Sequence, residues 1–347
     1  MYTLIAIVAL GVLCLIVEIF NGRKAIVPIT IVGLLAILGL TATGFNDSAD
    51  TFNNMIVFDN FATTFSCLFI VLTIFLVALS PNFHEKQITK ISDFISIKLF
   101  LLSGGVAMVA FGNLSMFFLG IEILSIALYV LAASDRLSIK SNEAGMKYFL
   151  MGAFASGFIL FGIALIYGAT GSFDMATIQE AGSSADVEDW FYIGAILLSI
   201  GMLFKVAAAP FHFWAPDVSP ALTTALMSTL TKVIAMAAFF KLVGAMNVNL
   251  PYSSQTAIIV ISILSMTIGN IMALKQTNVK RMLAFSGISH AGFMLMTLLA
   301  VTTSAGVLLY YASAYALSGI AAFAVILYVT KDKDNEDIFN FNGLGKT

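Results

Sequence analysis

Long apolar runs with short polar punctuation dominate the chain. Runs of about 18 to 25 apolar residues recur from one end to the other, the length needed to cross ~30 Å of hydrocarbon. Apolar residues are continuous within each run and do not alternate, so the pattern predicts helices and excludes a transmembrane β-barrel. About eleven spans are expected, at roughly 2–20, 25–44, 58–80, 96–112, 113–133, 146–169, 190–214, 219–246, 254–274, 282–302 and 305–330. The fourth and fifth meet at Gly112–Asn113 with almost no loop. No stretch between spans is long enough for a soluble domain.

One span is interrupted. In the seventh, Lys205 is followed by Val-Ala-Ala-Ala and Pro210, then by Phe-His-Phe-Trp-Ala, Pro216 and Asp217. Proline inside a helix removes an amide donor and clashes with the preceding turn. A proline beside a lysine near mid-membrane predicts a discontinuous helix, the device by which transporters free backbone groups for ion sites.

Composition makes a membrane protein unavoidable. The 347 residues are 60% hydrophobic and 10% charged, with a mean hydropathy of +0.99. No water-soluble domain of this size has enough interior to hide that surface. A net charge of −2 and the lack of a basic stripe or nucleic-acid motif give no reason to expect a nucleic-acid partner. Cys14 and Cys67 both fall in apolar runs and read as small buried hydrophobes, not as a disulfide or a metal pair. No CxxC, HExxH, phosphate-loop or dinucleotide pattern appears, so no metal and no nucleotide site is expected.

Charge sets the orientation. All basic residues but Lys205, Lys232 and Lys241 fall in one set of alternate loops, with Arg23 and Lys24; Lys86, Lys90 and Lys98; Arg136, Lys140 and Lys147; Lys275, Lys280 and Arg281; and Lys331, Lys333 and Lys346. The opposite loops carry none, and 170–189 instead holds Asp174, Glu180, Asp186, Glu188 and Asp189. The positive-inside rule places the basic loops in the cytoplasm. The first span has no basic residue before it and Arg23–Lys24 after it, which predicts a retained first helix with its N-terminus outside.

The remaining charges carry the chemistry. Glu122 lies within FFLGIEILSIALYVL, Lys205 within AILLSIGMLFKVAAAPFHFW and Lys232 within LTTALMSTLTKVIAMAAFF. Ionisable groups at such depth are unfavourable by a few kcal/mol or more each, and they face a wet cavity or a partner. A Glu122–Lys205 pair offsets part of that for both members and makes each one's proton affinity depend on the other. Lysine, unlike arginine, can release its proton when buried, which suits Lys205 and Lys232 to carry protons. His212, two turns past Lys205, and His290, in LAFSGISHAGF, are candidates for bridging the lysines through water. Lys241 is expected to reach the outer interface, and Glu18 and Asp59 to be interfacial. His84 carries no signal. Phe213 and Trp214 are expected to be packing residues, and Gly152 with Ser156 to favour close helix packing.

Several segments resemble subunit N of the proton-pumping NADH-quinone oxidoreductase, respiratory complex I. They are NEAGMKYFLMGAFASGFILFGIALIYGATGSFD (142–174), FLGIEILSIALYVL, LFKVAAAPFHFWAPDV and LKQTNVKRMLAFSGISHAGFML. Sister antiporter-like and cation/proton antiporter subunits share the lysine–proline pattern, but the 142–174 stretch is more similar to subunit N. The resemblance implies an all-α polytopic membrane protein with antiporter-like inverted five-helix repeats. A three-helix segment would cover 1–95, a first repeat 96–246, and the start of a second 254–347. It implies proton-carrying roles for Glu122, Lys205 and Lys232, and places His290 in the family's tenth-helix serine–histidine stretch; with His212, read above from its position, they make up the expected proton relay. NADH, FMN, iron–sulfur clusters and quinone would belong to partner subunits. The partners would be neighbouring antiporter-like and small membrane-arm subunits, in a bacterial inner membrane. The family continues beyond the point matched by Gly345-Lys346-Thr347 into a broken helix with a further lysine, so the chain reads as C-terminally shortened, with an incomplete second repeat. It also lacks the family's Tyr-x-Gly after Pro-Asp-Val, where Asp217-Val218 runs into Ser219-Pro220. That shortens the turn ahead of Lys232.

Overall fold

The computed structural model describes residues 1–46, 49–51, 54–81, 91–135, 137–182, 189–217, 221–246, 252–331, 333 and 335–344. His84, Lys86, Lys90, Arg136, Asp186, Glu188, the 218–220 turn and Lys346 lie outside them. The described helices are α1 (Tyr2–Ile19), α2 (Arg23–Ala42), α3 (Asn60–Ala78), α4 (Ile91–Val109), α5 (Leu114–Ala132), α6 (Ile139–Thr170) and α7 (Met175–Gly182). They continue with α8 (Asp189–Val206), α9 (Ala221–Ser228), α10 (Leu230–Met246), α11 (Tyr252–Leu274), α12 (Val279–Leu295) and α13 (Ala305–Val329). Among the described residues, 11 helical stretches are long and apolar enough to cross a membrane, with α9 and α10 together forming one of them. The expected count therefore holds.

Several span ends rest on local caps. The Asp59 carboxylate accepts from Ala62 N at 2.6 Å to open α3, and the Asn113 side chain accepts from Met116 N at 2.8 Å to open α5. Each satisfies an amide that a helix start leaves without a partner. The tight α4–α5 junction is further tied down by a small antiparallel hairpin, β1 (Ala49–Thr51) with β2 (Ile56–Phe58). The Val57 amide donates to Ala110 O and the Gly112 amide to Met55 O. This hairpin and the short helix α7 are additions to the all-helical pattern expected.

Burial sorts the spans into centre and rim. The Leu222–Met246 and Ile91–Val109 spans are 83% and 78% buried, whereas Ser254–Leu274 is 17% buried. Hence α4 and α10 form the middle of the bundle and α11 lies at its edge. Helices α6 and α8 pack backbone to backbone: a Cβ on Gly162 would meet Gly194 O at 2.6 Å, and one on Gly194 would meet Gly162 O at 2.7 Å. Such glycine crossings let membrane helices approach closely enough for dispersion to hold them.

Three sequence expectations change. Lys98, assigned to a cytoplasmic loop, lies inside α4, is 3% exposed, and donates to Ser80 Oγ at 2.7 Å. The helix begins at Ile91, earlier than the hydropathy suggests, because the polar residues around Ser92–Ser96 are accommodated by burial against other helices. Lys241 does not reach freely to the interface: it pairs with Asp59 at 3.1 Å and donates to Val109 O at 2.7 Å, clasping α10 to the start of α3 and the end of α4. Glu18, expected at the interface, is buried and paired with Arg23 at 2.7 Å.

Candidate functional site

The break in the seventh span positions Lys205. Helix α8 stops at Val206, four residues before Pro210, where the proline ring would collide with a helical carbonyl. Ala207 then takes a left-handed φ of 60°, and its amide donates back to Phe204 O. The buried Trp214 indole also donates to Phe204 O at 3.2 Å, so it is a packing residue as expected. Residues 207–217 are not helical, and the Ala209 amide donates to Ser265 Oγ on α11 at 2.9 Å. Lys205 thus occupies the last turn of α8, on the face that carries Gly194 and Gly201 against α6.

The lysine is held by hydroxyls. Its Nζ donates to Ser125 Oγ on α5 at 2.8 Å and to Ser156 Oγ on α6 at 3.3 Å. Ser125 Oγ in turn donates a hydrogen bond to Ile121 O at 2.6 Å. Glu122 sits one turn before Ser125 and is within electrostatic reach of Lys205, but the two form no direct ion pair. Its Oε1 is buried with no hydrogen-bond partner among the described residues. The Tyr129 hydroxyl, two turns along the same face of α5, is likewise buried and without a hydrogen-bond partner. The expected Glu122–Lys205 ion pair is therefore not formed directly: the two are within electrostatic reach, while Lys205 Nζ bonds Ser125 instead. Ser156, read from sequence as a packing residue, is a ligand of the ammonium.

A second cluster surrounds Lys232, which is 4% exposed on α10. It lies close to α12 at Gly287: a Cβ there would stand 3.1 Å from Lys232 Nζ and 2.8 Å from the Tyr315 hydroxyl. His290, one turn past Gly287, is within electrostatic reach of Lys232. Its Nδ1 hydrogen-bonds the Tyr311 hydroxyl at 2.7 Å, and its ring lies 4.7 Å from that of Tyr315. Tyr315 donates to Ser228 O at 2.6 Å. A cleft of about 240 Å³ opens beside this cluster, lined by Ser228, Thr229, Ser286, His290, Tyr315 and Ser318 among others.

The structure thus brings Glu122 to Lys205 and His290 to Lys232. It does not bring His212 to either lysine: its Nδ1 is buried with no hydrogen-bond partner among the described residues, and its ring neighbours Phe213. Sequence reasoning missed Ser125, Tyr129, Tyr311 and Tyr315. The available signal was spacing, since Ser125 and Tyr129 follow Glu122 by three and seven residues and the two tyrosines are four apart, which puts each set on one helix face.

A family profile described as NADH:quinone oxidoreductase/Mrp antiporter, TM matches residues 112–347. The NADH-quinone oxidoreductase subunit N of Flavobacterium johnsoniae is 68% identical over 100% of this chain and 77% of its own length. The chain belongs to the subunit N family of NADH-quinone oxidoreductase. The subunit N proteins of Flavobacterium psychrophilum and Cytophaga hutchinsonii agree, at 65% and 42% identity over the whole of this chain. Among solved structures, a chain of respiratory complex I from Thermus thermophilus superposes with a TM-score of 0.80 at 29% identity, covering 94% of this chain and 70% of that one. A chain of an archaeal respiratory membrane complex, the membrane-bound sulfane sulfur reductase, superposes with a TM-score of 0.79 at 27% identity, covering 98% of this chain and 72% of that one. This member of the subunit N family is thus an antiporter-like, multi-span membrane subunit of complex I, and its broken seventh span sits on a fold shared by two respiratory complexes.

Proposed function

We propose that the chain moves protons through Glu122, Lys205, Lys232 and His290, driven by NADH:quinone electron transfer in partner subunits. The observation that supports this best is the open pair: a carboxylate oxygen buried without a partner, and within electrostatic reach of it an amine held by the hydroxyls of Ser125 and Ser156. A perturbation that draws Lys205 towards Glu122, or releases it, changes which of the two holds a proton. The amine then hands its proton towards Lys232 through water. His212, which the structure brings to neither lysine, joins this path only through water. Residues 96–246 form the first five-helix repeat and 254–347 begin the second, with 1–95 a separate three-helix segment. NADH, FMN, iron–sulfur and quinone chemistry belongs to the other subunits. The partners in the membrane are neighbouring antiporter-like and small subunits. The N-terminus faces the periplasm of a bacterial inner membrane.

Two substitutions test the reading in the assembled complex, with proton pumping and NADH:quinone turnover measured in the same vesicles. Lys205→Ala is expected to lose pumping. Lys205→Arg keeps the charge and the hydrogen bonds to Ser125 and Ser156 but cannot release a proton, so it too is expected to lose pumping while the complex assembles. If Lys205→Ala pumps normally, the reading is wrong. If Lys205→Ala prevents assembly and Lys205→Arg restores both assembly and pumping, the lysine is a structural tie. Dependence on Na⁺ or K⁺ without NADH would instead mark a cation/proton antiporter.

A further inference from the structure

We infer that Tyr315 is a proton-carrying gate between Lys232 and His290, held shut by its hydrogen bond to the Ser228 carbonyl. The inference rests on the proton-relay reading above and adds to it a residue and a mode of control.

Three observations converge. First, the Tyr315 hydroxyl and Lys232 Nζ approach the same point above Gly287, at 2.8 and 3.1 Å from where a Cβ would be. They therefore lie within about 6 Å of one another, a gap that they or a single bridging water can close. Only glycine leaves that point free. Second, the Tyr315 ring packs on the His290 imidazole with centroids 4.7 Å apart, while Tyr311 engages Nδ1 and leaves Nε2 as the nitrogen still to be used. Third, Ser228 lines both the cleft that holds His290 and Tyr315 and the small pocket that holds Lys232. Its carbonyl, at the last residue of α9, accepts the tyrosine hydroxyl at 2.6 Å. The Tyr315–Ser228 contact stands at the boundary between the two spaces.

A carbonyl oxygen can accept a hydrogen bond but cannot carry a proton onward. While Tyr315 donates to Ser228 O, its proton leads nowhere and its oxygen can only accept. Rotation of the hydroxyl off Ser228 opens the route. The Lys232 ammonium N–H bond then breaks as a new O–H bond forms at Tyr315, and the original phenol proton passes to His290 Nε2, directly or through water in the cleft. Ammonium becomes amine, imidazole becomes imidazolium, and the tyrosine ends as it began. The titratable groups facing Tyr315 are Lys232 on α10, His290 on α12 and Tyr311 on its own helix. The other elements packed on α13 are α9, which brings Ser228, and α3 and the 3-10 turn Met296–Ala300, which bring no charged side chain.

The test uses the assembled complex in sealed vesicles, with pumping per NADH oxidised as the readout. Tyr315→Phe keeps the ring against His290 and removes only the hydroxyl; it is expected to lower pumping about tenfold or more. Replacement of Tyr315 by a fluorinated tyrosine, whose phenol is more acidic, is expected to restore pumping and move its pH profile acidward. A packing role would not move that profile. Lys232→Ala is run alongside. If Lys232→Ala abolishes pumping while Tyr315→Phe pumps as the parent does, the gate is refuted and the relay stands. If Lys232→Ala itself pumps normally, the relay falls and the gate with it. Should Tyr315→Phe not assemble, the fluorinated variant decides: an unshifted pH profile overturns the proposal.

Discussion

At the scale of single residues, the site is a matter of which hydroxyl holds which charge. Lys205 has a short bond to Ser125 and a longer one to Ser156. A hydrogen bond to a charged group is worth roughly 1.5–3 kcal/mol. Ser125→Ala is therefore expected to change pumping by about tenfold or more, Ser156→Ala by less, and Ser125→Thr to restore most of it. Pumping assays on the three variants check the order; equal effects from both alanines would show that the two bonds do not differ as drawn. The ionisable members of the site were legible because charge is conspicuous in an apolar run: Glu122, Lys205, Lys232 and His290 all stand out. Ser125, Tyr129 and Tyr315 were not, because hydroxyls are common in membrane helices and bond their own backbone, as Thr73 and Ser199 do here. Lys98 was misplaced for a related reason. A lysine at the basic end of a span looks like a loop residue until a partner such as Ser80 is seen to bury it.

At the scale of elements, two backbone devices set the geometry. Pro210 announced the break in the seventh span, and helix α8 does end one turn before it. The way it ends was hidden, since nothing marks Ala207, an alanine in the left-handed region, as a helix terminator. The other device is the α6–α8 crossing at Gly162 and Gly194. A side chain at either position would meet a carbonyl of the opposite helix. Gly194→Leu is expected to separate the helices, remove Ser156 from Lys205 and reduce the amount of assembled subunit severely, as read from complex recovered from membranes. Gly168, where a Cβ would meet nothing within 4 Å, supplies the control, and Gly168→Leu should assemble normally. The interruption at Thr229 between α9 and α10 had no proline or glycine to signal it, so the sequence pattern ran through it as one span.

At the scale of the whole molecule, ion pairs among the described residues tie spans together at two ends. Asp59, Lys241 and the Val109 carbonyl meet at one end. At the other, Arg281 pairs with Asp217 at 3.3 Å and Lys280 with Glu336 at 3.5 Å. Residues that the alternation of loop charge places on one side of the membrane therefore touch each other, in keeping with the span count read from the apolar runs. A cysteine at the exposed Lys331 is expected to react with an impermeant maleimide only in inside-out vesicles, and one at Thr43 only in right-side-out vesicles. The opposite pattern would invert the proposed topology. The glycine crossing bears on time as well as on shape. Backbones in direct contact leave no slack for sliding, so α6 and α8 travel as one body and Ser156 goes wherever Lys205 goes. The stroke left to the lysine is a turn of its own four-carbon arm relative to α5. Side-chain reorientations run from picoseconds to nanoseconds when exposed, while collective helix motions take microseconds to milliseconds. In the proposed relay, even slowed by burial, the lysine arm is the fast part, and the clock that sets turnover lies in larger parts that would draw Glu122 near or let it go.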